Sequence, residues 1–118
     1  MNMYEIREVM ITQGKEERSV WVIDFHDEKY EIISEFLMTD APMMDYHILT
    51  DLEEVLRNDK KENKVSGNRC FLHIKKDFTY IEDLFDGLFD DFETYPSVEV
   101  ETNILKDLIV MWREKTEK

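Results

Sequence analysis

The chain has 118 residues, of which 42% are hydrophobic and 12% aromatic, so it can bury one core but is too short for two ordinary domains. Its 28 acidic and 15 basic side chains give a net charge of −13, which excludes a general binder of the nucleic-acid backbone and argues against an anionic membrane surface. With one Cys, no signal peptide and no apolar run of about 18 residues, the sequence predicts a single cytoplasmic domain, residues 1–118.

The first third of the chain predicts an antiparallel meander of three strands. Residues 3–12 form the first strand, and their apolar side chains change face between Ile6 and Val9, which predicts a bulge or a twist. Residues 19–25 are apolar on both faces and predict a central strand that is covered on each side. Residues 29–38 fit both helical spacing and strand alternation, and we predict a third strand there.

The middle of the chain predicts a helix, a loop and a strand. The sequence Thr-Asp-Leu-Glu at 50–53 has the form of a capping box and predicts a helix that ends near Asn58. Residues 59–68 are polar and predict an exposed loop. Residues 69–76 alternate and predict a strand that points Cys70 into the core, where it is a structural residue and not a nucleophile.

The last third predicts a helix, a strand and a closing helix. A second capping box at 79–82 predicts a helix through Phe89, and 97–101 predict a short strand before a final helix capped by Thr102. The element order βββαβαβα predicts an α+β domain with about three helices packed on a mainly antiparallel sheet. Three acids share the outer face of the helix that begins at Thr79: Asp83, Asp86 and Asp90.

The negative charge is concentrated in two windows that contain no base. The window between Lys29 and Arg57 carries −7 and the window between Lys76 and Lys106 carries −9, which leaves +3 for the remainder of the chain. Residues 82–93 alone hold six acids. A one-signed surface of this kind either keeps the protein soluble or steers it toward a cationic partner.

Motifs for chemistry are absent or weak. The three glycines are isolated in sequence, so no phosphate-binding loop is predicted, and we expect no cofactor, no catalytic residue and no nucleic-acid ligand. A small metal-binding domain or an enzyme of unknown type, with His26 and His47 as the candidate ligands, is an alternative. Two imidazoles far apart in sequence do not by themselves define a metal site.

The general build of the chain resembles the small acidic immunity proteins of bacterial polymorphic-toxin and contact-dependent inhibition systems. The segments that carry the resemblance are Ser-Val-Trp-Val-Ile-Asp-Phe at 19–25 and Glu-Thr-Asn-Ile-Leu-Lys-Asp-Leu-Ile-Val-Met-Trp at 101–112. The resemblance implies a non-enzymatic inhibitor that neutralises a basic, nuclease-type toxin by covering a cationic surface of the toxin.

The charge map and this resemblance together predict a site for a basic protein partner. Phe92 and Tyr95 are its candidate aromatic anchors, because buried aromatic side chains carry much of the binding energy in protein interfaces. The alternative is a structural or regulatory oligomeric subunit in which the same two residues serve self-association, and the oligomeric state stays open at this point. The predicted contact residues are Asp83, Asp86, Asp90, Asp91, Phe92, Glu93 and Tyr95.

Overall fold

The computed structural model describes residues 3–85 and 94–117, and its α+β class with antiparallel strands is the predicted one. Strands β1 and β2 form a two-stranded sheet, and β3 to β6 form a four-stranded sheet in the order β3-β4-β5-β6. The strands are Tyr4–Gln13 (β1), Glu16–Phe25 (β2), Glu62–Ser66 (β3), Cys70–Lys75 (β4), Phe78–Asp83 (β5) and Val98–Glu101 (β6).

The helices pack between and beside the two sheets. A helical segment at 28–43 joins β2 to α3, and α4 closes the chain. Within the segment, a 3₁₀ turn is followed by α1, a π-helical turn and α2. The bounds are Glu28–Tyr30 (3₁₀), Glu31–Glu35 (α1), Phe36–Asp40 (π), Ala41–Met43 (α2), Ile48–Leu56 (α3) and Thr102–Thr116 (α4).

The β1–β2 hairpin is longer and more regular than its sequence suggests. Every residue from Tyr4 to Gln13 pairs in one unbroken register with Phe25 to Glu16, so of the two predicted alternatives, a bulge or a twist, the bulge is wrong. Gly14 sits in the two-residue turn at φ 62°, a left-handed conformation that glycine adopts without strain. The predicted central position of β2 is also wrong, because within the described residues β2 pairs only with β1.

Residues 29–38 are helical, so the predicted third strand is wrong. The Asp27 side chain accepts a hydrogen bond from the backbone N–H of Lys29 at 3.1 Å, and this capping starts the first helical turn. Residues 29–38 fit both helical spacing and strand alternation, and burial favours the helix. The fully buried side chains recur one helical turn apart. These side chains are Ile32, Ile33, Phe36 and Leu37.

Two further predictions fail in the four-stranded sheet. Strand β3 lies inside the predicted loop at 59–68, and β5 occupies the start of the helix predicted from Thr79. Strand β5 pairs with both β4 and β6, and its alternate residues Thr79, Ile81 and Asp83 are buried. Residues 86–89 of the predicted helix lie outside the described residues.

The predicted helix in the middle of the chain and the predicted final helix are both present. Helix α3 begins at Ile48, two residues before the capping box at 50–53, and no side chain caps its first turn. Helix α4 buries Leu105, Ile109 and Trp112, as its spacing predicts. No helix in the described part of the chain is long and apolar enough to cross a membrane.

A buried carboxylate joins the helical segment to the four-stranded sheet. Asp40, fully buried, accepts hydrogen bonds from the backbone N–H of Arg69 at 3.1 Å and of Cys70 at 2.7 Å. Gly67 packs directly against this carboxylate, and a Cβ atom there would lie 2.5 Å from Asp40 Oδ2. Asp40 is short, buried and hydrogen-bonded, so it has little freedom to move away.

Substitution Gly67→Ala is therefore expected to lower the free energy of unfolding by about 1–3 kcal/mol, the usual cost of overpacking. Urea denaturation measures the change. Ser66→Ala at the exposed neighbouring position is the control and should stay within about 0.5 kcal/mol of the parent protein. Equal stability of Gly67→Ala and the parent would contradict the close packing of Gly67 on Asp40.

Candidate functional site

The structure describes two of the seven predicted contact residues. Asp83 is the last residue of β5, and Tyr95 lies in the segment that leads into β6. The remaining five fall at 86–93, outside the described residues: Asp86, Asp90, Asp91, Phe92 and Glu93.

Asp83 is buried, which corrects its predicted place on an exposed helix face. Its side chain is 0% exposed and forms an ion pair with Arg69, whose side chain is 15% exposed. Arg69 Nε donates to both carboxylate oxygens at 3.2 and 3.3 Å, and Nη2 donates to Oδ2 at 3.0 Å. Asp83 therefore anchors the structure around it and presents no free carboxylate to a partner.

The same carboxylate holds the chain on both sides of the acidic residues 86–93. The backbone N–H of Phe85 donates to Asp83 Oδ1 and that of Tyr95 donates to Oδ2, each at 3.0 Å. The backbone N–H of Leu84 also donates to the carbonyl oxygen of Arg69 at 2.7 Å. One buried anion thus fixes where the chain leaves β5 and where it returns toward β6.

The Arg69 guanidinium lies against two aromatic rings. Its central carbon is 5.1 Å from the ring centroid of Phe85 and 4.8 Å from that of Tyr95, within the range of cation–π contacts. Tyr95 also packs against the hydrophobic core. The predicted aromatic anchor is therefore partly used inside the protein, where it supports Arg69.

The pKa of Asp83 is lowered by its surroundings. Burial by itself raises the pKa of this carboxyl, but the hydrogen bonds from Arg69, Tyr95 and Phe85 favour the charged form and outweigh burial. The hydrogen bond to Asp83 likewise raises the pKa of Arg69. Both partners are charged at neutral pH, and the pair is a permanent feature of the folded protein.

An acidic pocket of about 200 Å³ opens beside this cluster. Tyr95 and Phe25 contribute aromatic walls. Burial raises the pKa of the Tyr95 hydroxyl, and the negative charge of Glu35 raises it further, so this hydroxyl stays neutral and can donate a hydrogen bond. The carboxylates that line the pocket are those of Asp24, Glu31 and Glu35.

Two of these carboxylates form no ion pair with the described residues. Glu31 and Glu35 lie one turn apart on α1, and neither forms an ion pair with residues 3–85 or 94–117. Other acids of the same base-free window are neutralised locally, since Glu53 pairs with Lys106 and Glu54 with Lys60. The pocket therefore keeps a concentrated negative charge that suits a Lys or Arg side chain.

Sequence reasoning missed Glu31, Glu35 and Arg69 as members of this region. The base-free window between Lys29 and Arg57 contained the signal for the two glutamates, which share one face whether the segment is a strand or a helix. Nothing in the local sequence distinguishes Arg69 from an ordinary exposed arginine, because its partner Asp83 lies 14 residues further along the chain.

The sequence raised three residues as candidates for catalysis or metal binding: Cys70, His47 and His26. Cys70 is fully buried, and burial raises the pKa of its thiol well above the usual range, so the reactive thiolate is suppressed. His47 Nδ1 lies 3.5 Å from Asp51, one turn away on α3. In the part of the chain that is described, no three His, Cys, Asp or Glu side chains are grouped to hold a metal ion, around His26 or elsewhere.

Comparison with family models, curated proteins and solved structures finds no match to this chain.

Substitution Asp83→Asn is expected to lower the free energy of unfolding at pH 7 by about 3 kcal/mol, because it leaves the Arg69 charge without its buried partner. The folded-state pKa of Asp83 is depressed, so its contribution is present above the unfolded pKa of about 3.9 and is lost as the pH falls through the folded value. Chemical denaturation across this range should therefore show the difference between the variant and the parent shrinking in acid.

Asp24→Asn is the matched control. Asp24 also pairs with an arginine, Arg7 at 2.7 Å, but this pair is half exposed, and its loss should cost no more than about 1 kcal/mol. Equal effects of the two substitutions would contradict the structural role of the buried pair.

Proposed function

We propose that this protein is a non-enzymatic inhibitor of the immunity-protein kind that binds a basic protein partner, a nuclease-type toxin domain, and covers its cationic surface. The observation that carries the proposal is the buried Asp83 carboxylate, which binds the backbone N–H groups of the described residues on either side of 86–93. Asp83 fixes the chain at Phe85 and Tyr95 on either side of these residues, next to the acidic pocket. Tyr95, which follows the acidic stretch by two residues, itself lines this acidic pocket.

The sequence of this region fits a protein-binding role. Residues 86–93 contain four acids, two Phe and one Leu, and no base. Acidic groups speed the encounter with a cationic partner, while aromatic side chains buried at the contact lengthen the life of the complex. Both kinds of residue stand here between two fixed points of the backbone.

The anchoring also supports tight binding. Ordering a chain segment at an interface costs conformational entropy, and a segment whose two ends are already held has less of it to lose. The protein supplies this constraint with Asp83, whose carboxylate binds both ends at once. Inhibition then requires only that the acidic surface occupy the groove where the toxin would bind phosphate.

The test uses the toxin-like reading frame expected beside this gene. Its purified toxin domain should bind this protein, lose nuclease activity at equimolar concentration, and bind more weakly as salt rises from about 50 to about 300 mM. Absence of such a neighbouring gene, or full nuclease activity in the presence of excess inhibitor at low salt, would overturn the proposed function.

Neutralising residues 86–93 should weaken toxin binding about tenfold or more, mainly by slowing association, because the steering charge is removed. The variant replaces Asp86, Asp90 and Asp91 with Asn and Glu93 with Gln. Surface plasmon resonance measures its association and dissociation rates, and thermal unfolding confirms that its fold is kept. Unchanged affinity at low salt in a folded variant would place the contact elsewhere.

The acidic pocket has its own test. The double variant Glu31→Gln/Glu35→Gln should also bind the toxin domain more weakly, by about fivefold to tenfold, because the two carboxylates it removes form no ion pair with residues 3–85 or 94–117. Asp107→Asn/Glu114→Gln makes the same charge change on the exposed face of α4 and is the matched control. If the two double variants lose affinity equally, net charge explains the binding and the pocket does not.

A further inference from the structure

The four-stranded sheet has one face on the core and one face away from it. Alternate side chains of β5 and β6 are buried, and the residues between them point to the other side. On that side Phe78 is 49% exposed, and neither Phe78 nor Tyr80 belongs to the core or packs against it. We name this surface the open face and define it by four residues: Phe78, Tyr80, Glu99 and Glu101.

The register of β5 and β6 places a carboxylate beside each ring of the open face. Phe78 lies opposite Glu101, and Tyr80 lies opposite Glu99. Side chains directly opposite each other have Cβ atoms about 4.5–5.5 Å apart, and the two pairs are about 7 Å apart along the strands. The Tyr80 hydroxyl donates to Glu82 Oε2 at 2.8 Å, which restrains its ring. A cavity of about 320 Å³ is partly lined by Phe78, Tyr80 and Glu99.

The charges on this side of the sheet change sign from one edge to the other. Lys64 on β3 and Lys75 on β4 are exposed, and Lys75 lies opposite Glu62. Glu99 and Glu101, on β6, form no ion pair with residues 3–85 or 94–117. The β6 side of the open face therefore attracts a cation, which complements the charge of a basic partner.

The protein binds one of its own arginines with the same two kinds of group. Arg69 Nη2 donates to the Asp83 carboxylate at 3.0 Å, and the guanidinium lies against the rings of Phe85 and Tyr95. A guanidinium can do both because its flat face stacks on a ring while its edge donates to a carboxylate. A lysine ammonium has no flat face and is more strongly hydrated. The open face offers the same combination of ring and carboxylate twice.

We propose that the open face binds arginine side chains of the basic partner, one at each pair of ring and carboxylate. The identity of the partner rests on the proposed function. The four residues cover only about 130 Å², against roughly 800 Å² per partner in a standard interface, so they supply specific contacts within a larger contact area. Their strands are the two that Asp83 ties together, since Asp83 ends β5 and binds the backbone N–H of Tyr95, which precedes β6.

An NMR titration of the full chain with N-acetyl-arginine amide tests the open face by itself. The backbone amides of Phe78, Tyr80, Glu99 and Glu101 should shift and saturate with a dissociation constant on the order of 10 mM. N-acetyl-lysine amide, which carries the same charge, should bind at least about threefold more weakly, because its ammonium cannot stack on a ring. Absence of a shift up to about 100 mM, or equal binding of the two compounds, would overturn the proposal.

Two variants of the open face test its contact with the toxin domain. Phe78→Ala should weaken binding about fivefold, because it removes a ring that stacks on a guanidinium and leaves the net charge unchanged. Glu99→Gln/Glu101→Gln should weaken binding about tenfold, because it removes both carboxylates that accept from the arginines. Surface plasmon resonance measures both effects, and thermal unfolding confirms that each variant keeps its fold.

The matched controls are Met43→Ala, at a side chain that is 67% exposed on α2, and Asp107→Asn/Glu114→Gln, at exposed residues of α4. If the toxin domain is inhibited while the open-face variants lose no more affinity than these controls, the open face is not the contact and the proposed function stands. If no toxin domain binds, the proposed function is wrong, and the titration with the arginine and lysine compounds alone decides whether the open face binds arginine.

Discussion

The hydrogen bonding of one buried carboxylate governs the arrangement of the candidate site. A charge removed from water is stable only when its oxygens are fully engaged, and Asp83 meets this requirement with donors from three parts of the chain. These donors are the Arg69 guanidinium and the backbone N–H groups of Phe85 and Tyr95. The backbone N–H of Arg69 is bound in turn by Asp40, so the helical segment and the four-stranded sheet share one polar network.

Because of this network, the net charge of −13 overstates the negative charge that a partner would meet. Asp40 and Asp83 are structural acids inside the protein, and Glu53 is neutralised by Lys106. The negative charge available to a partner is therefore smaller than the composition suggests and more localised. In the described part of the candidate site it lies at Glu31 and Glu35, which line the pocket beside Tyr95.

The sequence contained enough information for the elements that have a single strong pattern. Strand β4 and helix α4 follow from alternation and helical spacing that one reading satisfies. Residues 29–38 satisfied two patterns, and the choice depended on packing against distant parts of the chain. Strand β5 had a helical start signal, but pairing with β4 and β6 overrode it, because those hydrogen bonds come from residues outside the local window.

The candidate site, like the fold, could be predicted from the sequence only where local patterns were sufficient. The first base-free window contains Glu31 and Glu35, the two glutamates of α1 that line the acidic pocket. The base-free windows did not separate a structural acid such as Asp83 from its exposed neighbours, because its partner Arg69 precedes it by 14 residues. Local patterns report composition and period, whereas the role of a buried charge depends on which distant donor reaches it.

The most direct test is an NMR pH titration that follows the Asp83 side-chain carboxyl carbon together with the backbone amides of Phe85 and Tyr95. The structure requires a midpoint below the ordinary aspartate pKa of about 3.9, and both amide resonances should shift with that same midpoint because both donate to this carboxylate. A midpoint at or above the ordinary value, or amides that do not follow it, would contradict the anchoring of Phe85 and Tyr95 by Asp83.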